Sequence, residues 1–421
     1  MTLHRIAPLP VGHPLSLGPR KSRPARIASR RTAALVGGWT ATRIGMVILL
    51  LIDQLGDSGV AGEVHTLYRT WYEQLIQGAF PLDDPTWQYP PGAALVFLSP
   101  ALLPWLTYFQ AFVVVILLAD AVITLALARA GVQGAWLWVG GLPLLLNLPL
   151  ARYDVPVTAV AVLALLAARR HPRTAGALAG IGAMIKVWPL LTVLGAPPGR
   201  TTRAVWTSAA ASAAALLIVL GWGFSHALSF LRQQGDRGVQ IESLGGTALQ
   251  LARQAGWKGE VRFQYGAFEL VGPYVTETAR LSLVLSALAL GWLLLWRVRA
   301  RHWTSATALD AAFAAVLLFT VTSRVISPQY LVWLLGLAAV CLTSRATTQR
   351  PVALLILPAA ALSALAFPLL YEDVVAGTPL GCALMVLRNG LLLGAALVSC
   401  RRLWGASTAR QGASRRSGHP L

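Results

Sequence analysis

Residues 53–89 of this 421-residue chain hold six acids, Asp53, Asp57, Glu63, Glu73, Asp83 and Asp84, against one base, Arg69. A carboxylate can take the proton of an attacking hydroxyl when it stands within hydrogen-bond reach; the bland alternative for each acid is a solvated loop charge. Asp83 and Asp84, in PLDDPTWQYPP, carry oxygens able to ligate a divalent cation, but two Asp before a Pro read better as a turn with an Asx cap. A second polar cluster, Arg232, Arg237, Gln240, Glu242 and Ser243 in FLRQQGDRGVQIESLGG, suits hydroxyl-rich and phosphorylated ligands, because Arg contacts phosphate through two N–H groups at once. A surface helix laced with charge pairs competes equally there. Arg388, inside the last apolar run and without an evident partner, is a candidate for phosphate. Arg324, beside SPQY, is another, with an interfacial anchor as its alternative. Asp154 stands ahead of Val155 and Pro156 and reads first as a helix N-cap, with a second acid in a cavity as the other possibility.

The elements that carry these residues are apolar. The chain is 56% hydrophobic and 12% charged, against about 45–50% and about 25% in soluble domains, which excludes a soluble multidomain enzyme. Near-uncharged runs long enough for a bilayer of about 30 Å lie at 33–53, 107–129, 134–151, 154–169, 204–223, 281–297, 305–322, 329–344, 351–370 and 381–400. Segments 1–32, 169–173, 197–203, 297–302, 345–350 and 401–421 hold 22 Arg or Lys and no acid. By the positive-inside rule all of them are cytoplasmic. That topology requires ten full spans, with 92–104 lying on the outer interface and 174–196 a hairpin that enters and leaves from the cytoplasm.

The expected fold is therefore an all-α polytopic membrane bundle over residues 33–400, with outer loops 53–106 and 224–280. A disordered basic arm (1–32) and a basic tail (401–421) place both termini in the cytoplasm. The first loop contains an amphipathic helix at 63–77, with Val64, Leu67, Tyr68, Trp71 and Leu75 on its apolar face. Tyr89 with Pro90 and Pro91 makes a rigid entry into 92–104. The net charge of +19 is then a topology signal. The basic tails lack the interleaved aromatics of a nucleic-acid surface, so no nucleic-acid partner is expected. Cys341, Cys382 and Cys400 fall in apolar runs and no histidine has ligand spacing, so neither a disulfide framework nor a metal is expected. Charge at membrane depth is costly; Arg43 and Asp120, at matching depths, are expected to pair. Lys186 in the hairpin either meets a lipid headgroup or snorkels, and a structural role is expected for it.

An acid, a His and a Tyr ahead of an aromatic helix, then YPPGAALVF (89–97), IKVWP (185–189), QIES (240–243) and SRVISPQYLVW (323–333), follow one another down the chain. In order and sidedness they resemble the GT-C membrane glycosyltransferases, and in particular glycosyltransferase family 87, the polyprenyl-phosphate-mannose-dependent mannosyltransferases. The resemblance implies an inverting transfer of a hexose, mannose by that likeness, from a polyprenyl-phosphate sugar to a lipid-linked or cell-envelope glycan at the outer face. It implies no cofactor and no nucleotide site, and places the enzyme among membrane lipids in the cell membrane. It further implies an outer-loop carboxylate as base. Glu63, two residues before His65 and five before Tyr68, occupies that place, with Glu for the family's usual Asp and one extra residue before the Tyr; Asp53 and Asp57 are fallbacks. The substrate is expected to meet His65, Tyr68, Tyr89 and Asp154 on one side. Arg232, Gln240, Glu242 and Ser243 are expected to join it, with Arg324, Gln329, Tyr330 and Arg388. A transporter or flippase of a lipid-linked saccharide is the alternative, and it would be expected to show repeat symmetry and paired broken helices.

Overall fold

The computed structural model describes residues 23–54, 59–81, 84–228 and 238–408. Helix α1 (Arg23–Ile52) leads into the acidic loop, where a π turn (Val64–Tyr68) runs into α2 (Arg69–Leu75) and a short α3 (Ala93–Leu98) follows. Then come α4 (Tyr108–Ala130), α5 (Val132–Gly141), α6 (Asp154–Ala167), α7 (Pro172–Ile185) and α8 (Arg200–Gly223). The second long loop holds β1 (Val239–Gln240), α9 (Leu244–Gln254), β2 (Glu260–Gln264) and β3 (Ala267–Val271). The chain closes with α10 (Val275–Arg299), α11 (Thr307–Thr322), α12 (Tyr330–Cys341), α13 (Arg350–Ala364), α14 (Tyr371–Ala376) and α15 (Pro379–Thr408).

All ten apolar runs contain helix, and among the described residues six give a helix long and apolar enough by itself to cross a membrane: Arg30–Ile52, Tyr108–Ala130, Arg200–Gly223, Val275–Arg299, Arg350–Leu369 and Pro379–Thr408. The other four, Val132–Leu145, α6, α11 and α12, are short. Run 134–151 breaks at Leu142 into two 3-10 turns, each carrying a proline. Three of the short helices, α6, α11 and α12, occupy the middle of the bundle: α12 is buried from Leu331 to Cys341, whereas Trp222 on α8 is 93% exposed and Val298 on α10 is 80% exposed. A central helix can end early because protein, not lipid, satisfies the backbone beyond it. Exposed apolar side chains on the outer helices are the surface a bilayer solvates, and the protein is a membrane protein.

Small residues set the close contacts. A Cβ on Gly134 would lie 2.2 Å from the Ala339 carbonyl oxygen of α12. On α7, a Cβ at Gly176 or Gly180 would lie 2.1 or 2.2 Å from the carbonyl oxygens of Val205 and Ala209 on α8. Segment 172–195 is the expected hairpin, its second arm a 3-10 stretch (Trp188–Gly195). Arg43 and Asp120 pair as expected, with Nε to Oδ2 and Nη2 to Oδ1 both at 2.8 Å; Trp39 and Trp138 donate to the same carboxylate at 2.6 Å.

Two local features differ from expectation. The second loop carries a small antiparallel sheet, order β1-β3-β2, in which Gln240 pairs with Glu269 and Val261 with Leu270. The all-α class holds for the bundle, and the sheet is confined to that loop. The hairpin tip reaches the end of the bundle that carries the long loops: a Cβ on Gly92, at the start of α3, would lie 2.5 Å from the Met184 carbonyl oxygen. Lys186 therefore does not snorkel towards the basic end.

Candidate active site at the loop end of the bundle

The acidic loop is fastened before its helix begins. The Asp53 carboxylate accepts from the Val60 and Ala61 backbone N–H groups, both at 2.9 Å, and from Asn147 Nδ2 at 3.2 Å. This leaves Asp53 as a clasp for the loop; Asp57 lies outside the described residues. Glu63 then opens the π turn, its Oε1 accepting from Arg152 Nη2 at 2.8 Å. The Glu63 side chain is 41% exposed and that of Arg152 only 5%, so the arginine is a fixed post and the carboxylate an accessible group held on it.

The apolar face of the loop helix forms as its spacing predicts, with Val64, Tyr68, Trp71 and Leu75 buried. It packs on protein: Tyr68 touches Trp71, Phe97, Phe112 and Tyr153. Burial, and next the charge of Glu63, push the Tyr68 phenol well above its ordinary range, so it stays a neutral donor. His65 is on the exposed side, stacked on Phe109 with ring centres 4.2 Å apart. Asp84 makes the expected Asx turn, accepting from Thr86 N at 2.8 Å, and also holds Trp71 Nε1 at 2.7 Å; Asp83 lies outside the described residues.

A second acid follows Arg152 by two residues. Asp154 is fully buried, and its Oδ1 accepts from Lys186 Nζ and Trp333 Nε1, both at 2.6 Å. The N-cap reading is corrected: Asp154 is already within α6 and its carboxylate makes no cap bond. Lys186 is enclosed by rings, 4.6 Å from the centre of Tyr153, 4.8 Å from Trp333, 5.6 Å from Tyr330 and 5.9 Å from Tyr89. Four separated motifs thus meet, YPPG, RYD, IKVWP and SPQYLVW. Gln329 is half-buried at the start of α12.

The QIES segment builds a different structure. Arg388 is fully buried and donates Nη1 to Glu242 Oε2 at 2.7 Å, and it also bonds the Glu242 carbonyl oxygen and Asn389 Oδ1. Asn389 Nδ2 donates to Thr247 Oγ1 at 2.7 Å. Ser243 caps α9, accepting from Gly246 N at 2.9 Å. Gln240 donates its backbone N–H to the Arg324 carbonyl oxygen at 3.0 Å, which ties QIES to SRVISPQY. The expectation that Arg388 lacks a partner is corrected: it spends its guanidinium on Glu242 and Asn389. Arg232 and Arg237 lie outside the described residues.

Tyr371 on α14 was not singled out from sequence. Its ring packs edge-on against Phe268 of β3 and Phe367, with centres 5.8 and 4.8 Å apart. The Lys186–Asp154–Trp333 contact was also missed, although IKVWP and SPQYLVW carried two of its members. An open cavity of about 570 Å³, lined by Gln74, Gln77, Phe80 and Asp84 among others, includes neither Glu63 nor Lys186.

Chemically, this end of the protein offers an accessible carboxylate held on a buried arginine, and an ammonium caged by tyrosine and tryptophan rings. No curated protein and no solved structure matches the chain. The family model described as Glycosyltransferase family 87 matches residues 87–328, more than half of the chain. The matched stretch contains Tyr89, Asp154, Lys186 and the QIES segment, while Glu63 precedes it and Tyr330 and Arg388 follow it. By that match, this chain belongs to glycosyltransferase family 87.

Proposed function

We propose that this glycosyltransferase moves a hexose, mannose by the resemblance of its motifs, from a polyprenyl-phosphate sugar to a lipid-linked or cell-envelope glycan, inverting the anomeric carbon. The basic loops face the cytoplasm and the two long loops face outward, where lipid-linked donor and acceptor meet. In the reaction the acceptor hydroxyl oxygen attacks C1 of the sugar. The bond from C1 to the phosphate oxygen breaks, its electron pair leaving with polyprenyl phosphate, and the hydroxyl proton passes to Glu63.

The observation that carries this reading is the state of Glu63. It is the accessible acid of the cluster, one oxygen fixed by buried Arg152, whereas Asp154 and Glu242 are sealed and Asp53 is occupied by the loop backbone. A fixed carboxylate open to an incoming hydroxyl is what general-base catalysis requires.

The test uses purified protein in lipid with synthetic polyprenyl-phosphate-mannose and a membrane lipid extract as acceptor source. Glu63→Gln is expected to lower kcat by about 10²–10⁴-fold with folding intact. An undiminished rate in that variant would remove Glu63 as the base, and movement of the lipid across the bilayer without product would remove the transfer reaction itself.

A further inference from the structure

We propose that Lys186 is the cation that receives the anionic oxygens of the lipid phosphate, with Asp154 and Trp333 as its positioning residues. The identity of the phosphate as leaving group rests on the transfer reaction proposed above; the site itself rests on geometry. An ammonium has three N–H donors. One is used on Asp154 Oδ1 at 2.6 Å, and the rest of the group faces four aromatic rings at 4.6–5.9 Å. Ring faces attract a cation but do not replace a full oxygen acceptor.

Trp333 Nε1 donates to the same Asp154 oxygen at 2.6 Å. That oxygen's charge is therefore shared between two donors, and the lysine is oriented without being fully satisfied. Beside it, the Tyr153 hydroxyl is buried and has no hydrogen-bond partner among the described residues, a second donor with no acceptor. The Lys186 side chain keeps 13% exposure, whereas Arg388 has none. Lys186 thus combines spare donors with access, which Arg388 lacks. Its neighbour α3 leads to Leu102 and Trp105, 77% and 75% exposed, an apolar surface of the kind a prenyl chain covers.

Residue choice fits this role. Of the 35 cationic residues 32 are Arg, and the lysines are Lys21, Lys186 and Lys258. A guanidinium at 186 would clasp Asp154 through both arms, while a compact ammonium can divide its donors between a carboxylate and a phosphate. The competing role is purely structural, with Lys186 doing no more than neutralise Asp154.

Transfer kinetics of Lys186→Gln and Lys186→Arg separate the two. We expect the donor KM to rise by roughly 10–100-fold, the value of a charge-assisted hydrogen bond, with inhibition by polyprenyl phosphate weakened in parallel. Glu63→Gln should do the opposite, losing kcat while still binding polyprenyl phosphate. If Lys186→Gln transfers with an unchanged donor KM, the phosphate role is wrong and the transfer reaction stands. If polyprenyl phosphate binds through Lys186 and no acceptor is ever glycosylated, the site stands and the transfer reaction is wrong.

Should the variants fail to fold, wild-type protein decides the matter. Amine-directed labelling with mass spectrometry should show polyprenyl phosphate shielding Lys186 but not Lys258, neutral polyprenol shielding neither, and inorganic phosphate shielding Lys186 only at far higher concentration. Equal shielding by polyprenol, or a Lys186 that never labels and so is closed to any ligand, would overturn the proposal.

Discussion

Arg388 offers a sharp test, because a structural latch and a phosphate ligand respond differently to paired substitution. Its guanidinium is fully buried and bonded to Glu242 and Asn389, and Glu242 is itself 1% exposed. Replacing Arg388 by Met leaves the Glu242 carboxylate buried without its cation and strands the acceptor of Asn389. Breaking a buried pair from one side costs about 3–5 kcal/mol. At roughly 2–4 °C per kcal/mol for the larger single domains, a thermal midpoint lower by several degrees or more follows. Burial pushes the Glu242 carboxyl upward, against the opposing pull of Arg388, and replacing a whole buried ion pair by apolar side chains of similar volume is often neutral in stability. The double variant Arg388→Met with Glu242→Leu should therefore regain most of the lost midpoint. The assay is thermal unfolding of detergent-solubilised protein followed by tryptophan fluorescence, with hexose transfer measured well below the midpoint. A latch predicts that the double variant transfers at a rate close to wild type. A double variant with restored stability but no transfer would refute the reasoning, by showing that the arginine acts on substrate as well as on Glu242.

Further outcomes follow from packing and topology. Gly92→Val should lift α3 off the hairpin tip, since even a Cβ there would sit 2.5 Å from the Met184 carbonyl oxygen. Overpacking of this kind costs about 1–3 kcal/mol, and because Lys186 follows two residues later, transfer should fall more than the thermal midpoint; an unaffected rate would show that α3 does not position the site. Single cysteines at Ser58 and Ser414, probed in intact cells with an impermeant thiol reagent, should label at Ser58 only. Labelling at Ser414 would reverse the proposed orientation.

The bundle was legible because lipid imposes a simple rule. Every backbone group at membrane depth must be bonded within its own helix or by protein, so apolar runs announce the helices. The Arg43–Asp120 pair was legible for the same reason: two costly charges at matching depth must meet. Helical spacing in the first loop identified the buried face of Tyr68, Trp71 and Leu75. Less was legible in the second loop, where β1 and β3 pair across an intervening helix and a third strand, a contact that no local pattern announces.

What residue order determined by itself is the solvent of this protein, the family of its motifs and the candidate acid Glu63. What only the tertiary structure decided is the partner of each charge. Glu242 and Arg388 are 146 positions apart, and Asp154 and Trp333 are 179 apart. Their pairing depends on which helix faces which, set by close contacts such as Gly92 on the hairpin tip and Gly134 on α12. A charge in a sequence carries a sign and an approximate depth. Whether it is spent on a neighbour, as Arg388 is, or keeps donors to spare, as Lys186 does, is a property of distances in space.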